Sequence, residues 1–173
     1  DAMVMSLHKS IGLPVIIARP FNCYGPRQSA RAIIPSIITQ FLSKKKNIII
    51  GNVKPTRDYT YVTDTCDAMI KLSKTKSIIG EIINIGSNKE ISIGNIFNKI
   101  KKITSRKRNS KVDLKRVRPK KSEVLRLLCD NRKIKKLINY KPKINFDTGL
   151  NLTIQWFKKE KNKKLYKPNI YNI

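Results

Sequence analysis

The chain has 173 residues, the length of one ordinary domain, and its 38 lysines and arginines against 11 aspartates and glutamates give a net charge of +27. No segment approaches the ~20 consecutive apolar residues that a membrane-spanning helix needs, and no signal peptide is recognisable, so we expect a soluble, cytoplasmic protein without membrane partners. Cys23, Cys66 and Cys129 lie far apart and His8 is the only histidine, which argues against a disulfide framework and a zinc site and predicts buried or half-buried free thiols.

The positive charge makes nucleic acid a partner to consider, because a basic surface attracts phosphate backbones whatever their sequence. Basic residues are dense between Lys99 and Lys143 and again in "KKEKNKK", residues 158–164. Few aromatic side chains stand among them, whereas single-strand binding by stacking needs such rings. We therefore expect only non-specific nucleic-acid binding, and we keep a basic nucleic-acid-binding module as the alternative function.

Apolar periodicity predicts alternating strands and helices, the pattern of an α/β fold. In chain order we expect a helix at 1–12, a strand at 14–18, a helix at 33–44, strands at 47–50 and 57–62, a helix at 63–74, a strand at 81–86, and helices at 92–103, 130–138 and 147–157. Ser92 is the expected N-cap of its helix, and Thr63 or Asp64 can cap the third helix. Trp156 and Phe157 are expected to pack in the core.

The stretch "RPFNCYGPRQ", residues 19–28, directly follows the first predicted strand. In open α/β sheets, ligands bind beyond the carboxyl ends of the strands. Asn22 offers an amide donor and acceptor there, while Arg19 and Arg27 offer planar guanidiniums for a phosphate or a carboxylate. The residues alone predict a small anionic ligand at this loop, with a turn stabilised by the Asn22 side chain as the alternative.

A series of sequence blocks resembles one family of enzymes. In chain order the blocks are "RPFNCYGPRQ", "IIP", "IIIGNVKPTRDYTYVTD", "GEIINIGSNKEISI" and "RPKKSEVLRLLCDNRKI". They closely resemble the C-terminal part of the extended short-chain dehydrogenase/reductases that act on nucleotide sugars, especially the NAD-dependent 4,6-dehydratases and their 4-epimerase relatives. The resemblance implies that residues 1–157 form the C-terminal part of a Rossmann-like doubly wound parallel sheet plus a small substrate-binding lobe. Residues 158–173 then form a polar, basic tail.

The same resemblance implies roles for individual residues. In that family, the residues matching Asn22 and Arg57 approach the diphosphate of the nucleotide sugar, and an arginine at the place of Arg118 closes on it from the other side. Two guanidiniums can grip a pyrophosphate with bidentate, charge-assisted hydrogen bonds. The alternative for Arg57, from the residues alone, is a salt bridge to Asp58 or Asp64.

Further contacts follow from the resemblance only. It implies that Ile33 and Ile50 line the base pocket, that Glu123 reaches ribose hydroxyls, and that Arg31 is a candidate for the phosphate or the hexose. Pro20 and Phe21 are implied to lie near the nicotinamide of the cofactor. Ordinary packing or a surface position is the alternative for each of them.

The family's oxidation chemistry needs NAD on a glycine-rich turn and a Tyr-x-x-x-Lys pair, and neither motif occurs here. The seven glycines form no G-x-G-x-x-G, and none of the six tyrosines is followed four places on by a lysine. Residues 1–12 resemble the tail of the helix that carries this pair. We therefore expect no catalytic residue in the chain, NAD bound mainly by an absent N-terminal half, and that half or a homodimer partner as the protein partner.

Together these observations predict the substrate-binding portion of a nucleotide-sugar 4,6-dehydratase, inactive by itself. A nucleotide-sugar 4-epimerase is the alternative, because the acid/base residues that separate elimination from epimerisation are not in this sequence. The stretches "GPRQSARAIIP" and "RPKKSEVLRL" resemble amino-sugar dehydratases and favour an N-acetylhexosamine nucleotide as the substrate.

Overall fold

The computed structural model of the chain describes residues 1–44, 46–106, 108–117 and 119–166. Helices and strands alternate through it as the periodicity predicts. The helices are α1 (Ala2–Ile11), α2 (Ile33–Leu42), α3 (Val62–Ser73), α4 (Ile93–Thr104), α5 (Arg132–Ile138), α6 (Phe146–Lys158) and α7 (Glu160–Lys163). The strands are β1 (Ile17–Pro20), β2 (Asn22–Tyr24), β3 (Asn47–Ile50), β4 (Thr56–Tyr61), β5 (Ile82–Ile85), β6 (Glu90–Ser92), β7 (Asn109–Val112) and β8 (Arg126–Leu127).

Among the described residues, the strands form three small sheets that are mostly parallel. β1 pairs with β5, and β3 pairs with β7, in two parallel pairs. β4 is central to the third sheet: it lies parallel to β2 and to β8 and antiparallel to β6. This mixed α/β arrangement matches the fold class that the sequence predicts.

The larger apolar core lies among α2, α4 and α6. Their buried faces repeat at helical spacing, as in Ile34, Ile37 and Phe41 of α2, and they meet buried tyrosines of β2 and β4. Phe157 is fully buried in this core and Trp156 packs against it, which confirms their predicted packing role. A second, smaller cluster joins α3 and α5 to β5.

Helix caps follow the sequence in part. The Ser92 side chain accepts a hydrogen bond from the backbone N–H of Asn95, so the predicted cap of α4 is confirmed. Neither Thr63 nor Asp64 caps α3, which begins one residue earlier without a side-chain cap. Asp64 is buried and accepts instead from the backbone N–H groups of Lys143 and Ile144, which ties α3 to the segment before α6.

Several other expectations need correction. The predicted loop at 19–28 is largely extended, because β1 continues to Pro20 along β5 and Asn22 begins β2 along β4. Between residues 104 and 121, where the sequence shows no apolar alternation, β7 pairs with β3 through its backbone. Cys66 is exposed, contrary to expectation, because it lies on the outer face of α3, whereas Cys129 is buried and Cys23 half-buried.

The polar tail that the sequence predicts from residue 158 is folded as far as the structure describes it. Asn162 is buried and donates to the backbone carbonyl of Trp156. Tyr166 packs against Phe157, with ring centroids 4.8 Å apart, and its hydroxyl donates to the carbonyl of Gln28 at 3.0 Å. The tail therefore reaches the loop between β2 and α2.

Helix α1 packs least of all. None of its residues is buried, and Met3 and Ile11, predicted on one apolar helical face, are 73% and 70% exposed. Within the described residues, β1 has β5 as its only strand partner. Of the helices described, none is both long and apolar enough to cross a membrane.

Candidate functional site

A cleft of about 500 Å³ opens where β2, β3 and β4 meet the start of α2. Its size suits a small-molecule ligand, since such sites commonly measure ~300–1,000 Å³. The substrate-binding residues that the sequence predicts within the described part of the chain all line it: Asn22, Arg31, Ile33, Ile50, Arg57 and Glu123. Arg118, predicted beside them, lies outside the described residues.

Asn22 reaches the cleft through strand pairing. It begins β2 opposite Tyr59 of β4, and its side-chain Nδ2 donates to the backbone carbonyl of Asp58 at 3.1 Å. One amide hydrogen therefore fixes the side chain against β4 rather than stabilising a turn of its own loop. Arg19 and Arg27 do not line the cleft: Arg19 pairs with Asp1, and Arg27 is exposed.

Arg57 forms an ion pair across one wall of the cleft. Its Nη1 donates to the carbonyl of Thr56 at 2.8 Å, and its Nη2 donates to Oε1 of Glu123 at 3.2 Å. The two side chains are only 14% and 11% exposed. The salt bridges to Asp58 or Asp64 considered from the sequence do not form, because successive side chains of a strand point to opposite faces and Asp64 is engaged elsewhere.

Asp58, next to Arg57, is a structural centre that sequence reasoning missed. Its fully buried carboxylate accepts from the backbone N–H and hydroxyl of Ser87, at 2.9 and 2.6 Å, and from the N–H groups of Asn88 and Cys129, at 2.8 and 3.3 Å. Gly86 lies against the same cluster and leaves no room for a side chain, since a Cβ there would lie 2.3 Å from Cβ of Cys129. The alternation of "RDYTY" places Asp58 on the face of β4 opposite Arg57, which is the one signal the sequence offered.

Three arginines bring positive charge to the cleft. Arg31 is exposed at its rim, and Arg57 lies within. Arg116 also lines the cleft, and sequence reasoning missed it among many basic neighbours. Its Nη1 donates to the carbonyl of Ile49, and its Nε lies 3.6 Å from Oδ2 of Asp113. Three guanidiniums around a concave surface attract an anionic ligand.

The remaining lining is apolar or neutral. Ile33 and Ile50 form an apolar wall, and Ile50 is buried. Burial raises the pKa of Tyr59 to about 12, an effect that nearby Arg57 partly opposes, so the phenol is neutral at physiological pH. Burial likewise raises the pKa of the Cys23 thiol, which lowers its reactivity.

Pro20 and Phe21 lie apart from these residues. They stand at the carboxyl end of β1, where the N–H of Phe21 donates to the carbonyl of Ile85, and neither lines the cleft. Pro20 is exposed and Phe21 half-buried. Over the described ranges, no group of three His, Cys, Asp or Glu side chains stands close enough to hold a metal ion.

Comparison with known proteins gives consistent matches. The family model described as GDP-mannose 4,6 dehydratase matches residues 1–153. UDP-N-acetyl-alpha-D-glucosaminuronate decarboxylase of Bacillus cytotoxicus is 36% identical over 156 residues, which are 87% of this chain and 48% of that protein.

Two solved structures show the same fold. The dTDP-glucose 4,6-dehydratase of Bacillus anthracis, in complex with NAD, superposes with a TM-score of 0.84 at 29% identity, covering 97% of this chain and 51% of that one. The UDP-glucuronic acid 4-epimerase of Bacillus cereus, in complex with UDP-glucuronic acid and NAD, gives a TM-score of 0.83 at 30% identity, covering 95% and 50%. The chain thus spans about half the length of these relatives.

Proposed function

We propose that the cleft binds a nucleotide sugar, because the chain belongs to the GDP-mannose 4,6-dehydratase family. We propose further that the chain is the substrate-binding portion of a nucleotide-sugar 4,6-dehydratase. The observation that carries this proposal is the convergence of Asn22, Arg57 and Glu123 with an apolar wall in one cleft. A pyrophosphate needs planar cationic donors, and a nucleobase needs apolar surface.

Each group of lining residues has a part in the proposed complex. The Arg57 guanidinium binds the diphosphate, with the Asn22 amide beside it and Arg31 at the rim. Ile33 and Ile50 pack against the base, and Glu123 accepts hydrogen bonds from ribose hydroxyls. Arg118, although outside the described residues, is proposed as the arginine that closes on the diphosphate from the other side.

NAD is bound in the neighbouring dehydratase and epimerase structures. In a complete enzyme of this kind it would supply the acceptor and donor of the hydride. The residues present here fit only the edge of that cofactor: Pro20 and Phe21 stand at the end of β1, and the seven glycines include no dinucleotide-binding turn. What this chain contributes is therefore binding and orientation of the sugar nucleotide.

The exposed side of α1 and β1 supports a proposed protein partner. Parallel strands are normally covered on both faces, and a two-stranded sheet is marginal by itself. We propose that a polypeptide segment with the NAD-binding turn and the Tyr-x-x-x-Lys pair covers α1 and the free edge of β1. A second copy of this chain is the alternative occupant.

The proposed substrate and reaction rest on the sequence resemblance and on the relatives of the chain. An N-acetylhexosamine nucleotide is favoured, and the amino-sugar nucleotide named for the Bacillus cytotoxicus relative supports that choice. A 4-epimerase is the second candidate, supported by the epimerase neighbour, because both reactions begin on the same bound nucleotide sugar.

Calorimetric titration of the full chain with UDP-N-acetylglucosamine tests this function. We expect Arg57→Ala to weaken binding at least tenfold, since a buried charge-assisted contact contributes ~1.5–3 kcal/mol. Arg132→Ala is the matched control, because it removes the same charge from an exposed pair with Asp130 outside the cleft. If duplex DNA binds with a steep salt dependence while the nucleotide sugar does not bind, the basic nucleic-acid-binding module replaces this proposal.

A further inference from the structure

The ion pair between Arg57 and Glu123 stands directly in the cleft that the proposed function uses. Both side chains line the cleft, their Nη2 and Oε1 atoms are 3.2 Å apart, and both are mostly shielded from water. The guanidinium that faces the ligand space therefore already has a carboxylate as its partner.

A phosphate group that approaches Arg57 competes with this pair. Nη1 already donates one hydrogen to the carbonyl of Thr56 and Nη2 donates one to Glu123, so a phosphate has to share the guanidinium with the carboxylate or displace it. A phosphate at Nη2 would also lie beside the carboxylate, and two negative charges in a partly dehydrated site repel strongly.

The two partners differ in how firmly the fold holds them. Arg57 lies within β4, opposite Ile91 of β6 and Leu127 of β8. Glu123 directly follows a single 3-10 turn, Lys120–Ser122, and precedes β8 outside any strand or helix. The carboxylate is the partner that can leave at the lower cost.

We infer that Glu123 occupies the anion position of Arg57 and that an anionic ligand binds by exchange with it. This rests on the proposed function only in taking Arg57 as the residue that receives the phosphate. Because the exchange has a fixed cost, the cleft discriminates against simple anions that offer nothing beyond their charge.

Inorganic pyrophosphate is the probe that isolates this effect, since it has two phosphates and no ribose or base. We expect Glu123→Gln to raise the affinity of the full chain for pyrophosphate roughly tenfold at constant ionic strength. Glu81→Gln is the matched control: it removes one negative charge from an exposed pair with Lys133 outside the cleft, and we expect it to leave the affinity unchanged.

Two further variants complete the test. Arg57→Ala combined with Glu123→Gln should abolish the gain, and Glu123→Ala should reproduce it if the Gln variant does not fold. Unchanged pyrophosphate affinity in both Glu123 variants, or an equal gain in Glu81→Gln, overturns the inference. If the wild-type chain still binds UDP-N-acetylglucosamine through Arg57, the proposed function survives that result; if the gain appears but no nucleotide sugar binds, the exchange stands and the proposed function fails.

Discussion

Two adjacent residues of β4 face opposite sides of the strand, and we propose a binding role for one and a structural role for the other. Arg57 faces the cleft, and Asp58 holds Ser87, Asn88 and Cys129 on the opposite side. The resemblance of "RDYTYV" to nucleotide-sugar enzymes predicted Arg57, and the structure places it in the cleft. The resemblance could not predict the role of Asp58, because the hydrogen-bond partners of Asp58 lie 29 to 71 positions away in sequence.

Asp58→Asn should destabilise the chain by roughly 3 kcal/mol, because the new amide presents N–H groups to backbone donors that are buried around it. The free energy of unfolding, from chemical denaturation, measures the effect. Asp67→Asn is the control, since its pair with Lys143 is exposed and worth less than about 1 kcal/mol. Equal losses in both variants would contradict the role given to Asp58.

The Tyr59 phenol should make stability fall at alkaline pH. Its pKa rises to about 12 in the folded chain, against ~10 when unfolded, so the protonated form is favoured by folding. The stability it contributes is complete below pH ~10 and is lost as the pH rises towards about 12, by roughly 2–3 kcal/mol in all. Tyr59→Phe should remove that part of the decline; an unchanged slope of unfolding free energy against pH would show that Tyr59 is not the group responsible.

At the scale of elements, the sequence predicted what local chemistry specifies. The helical spacing of α2, α4 and α6 is clear, and a serine before an apolar helix is a strong cap signal. β7 was not predictable, because "NSKV" is exposed along its length and forms a strand only through backbone bonds to β3. Asp64 was misjudged as a cap for a related reason, since its partners come from a segment nearly 80 residues away.

Ser92→Ala should cost about 1 kcal/mol, because the N–H of Asn95 loses its acceptor at the start of α4. Thermal and chemical unfolding measure the difference. Ser77→Ala, at an exposed position of the 3-10 turn Lys76–Ile78, serves as the control and should change stability by less than ~0.5 kcal/mol. A loss no larger than that of the control would mean that the cap does not stabilise α4.

On the scale of the whole molecule, the described residues assemble the cleft among themselves, whereas none of them covers α1 or pairs with the second edge of β1. A complete cleft beside an exposed helix and strand edge agrees with a chain that spans about half the length of its relatives. The sequence could predict the family from its ordered blocks, but the pairing of Glu123 with Arg57 became visible only in the folded structure, because strand pairing brings the two segments together.

We propose that this chain binds the nucleotide sugar and that the redox chemistry requires an NAD-binding segment with a general base. The most direct test of this proposal uses the purified 173-residue chain: UDP-N-acetylglucosamine and NAD are titrated separately, and the products are then analysed after incubation with both. We expect the nucleotide sugar to bind and NAD not to bind stoichiometrically, with no turnover, since the lack of the Tyr-x-x-x-Lys base alone costs ~100- to 10,000-fold and the oxidant is not held beside the sugar. Stoichiometric NAD binding with conversion of the nucleotide sugar by this chain unaided would contradict the account.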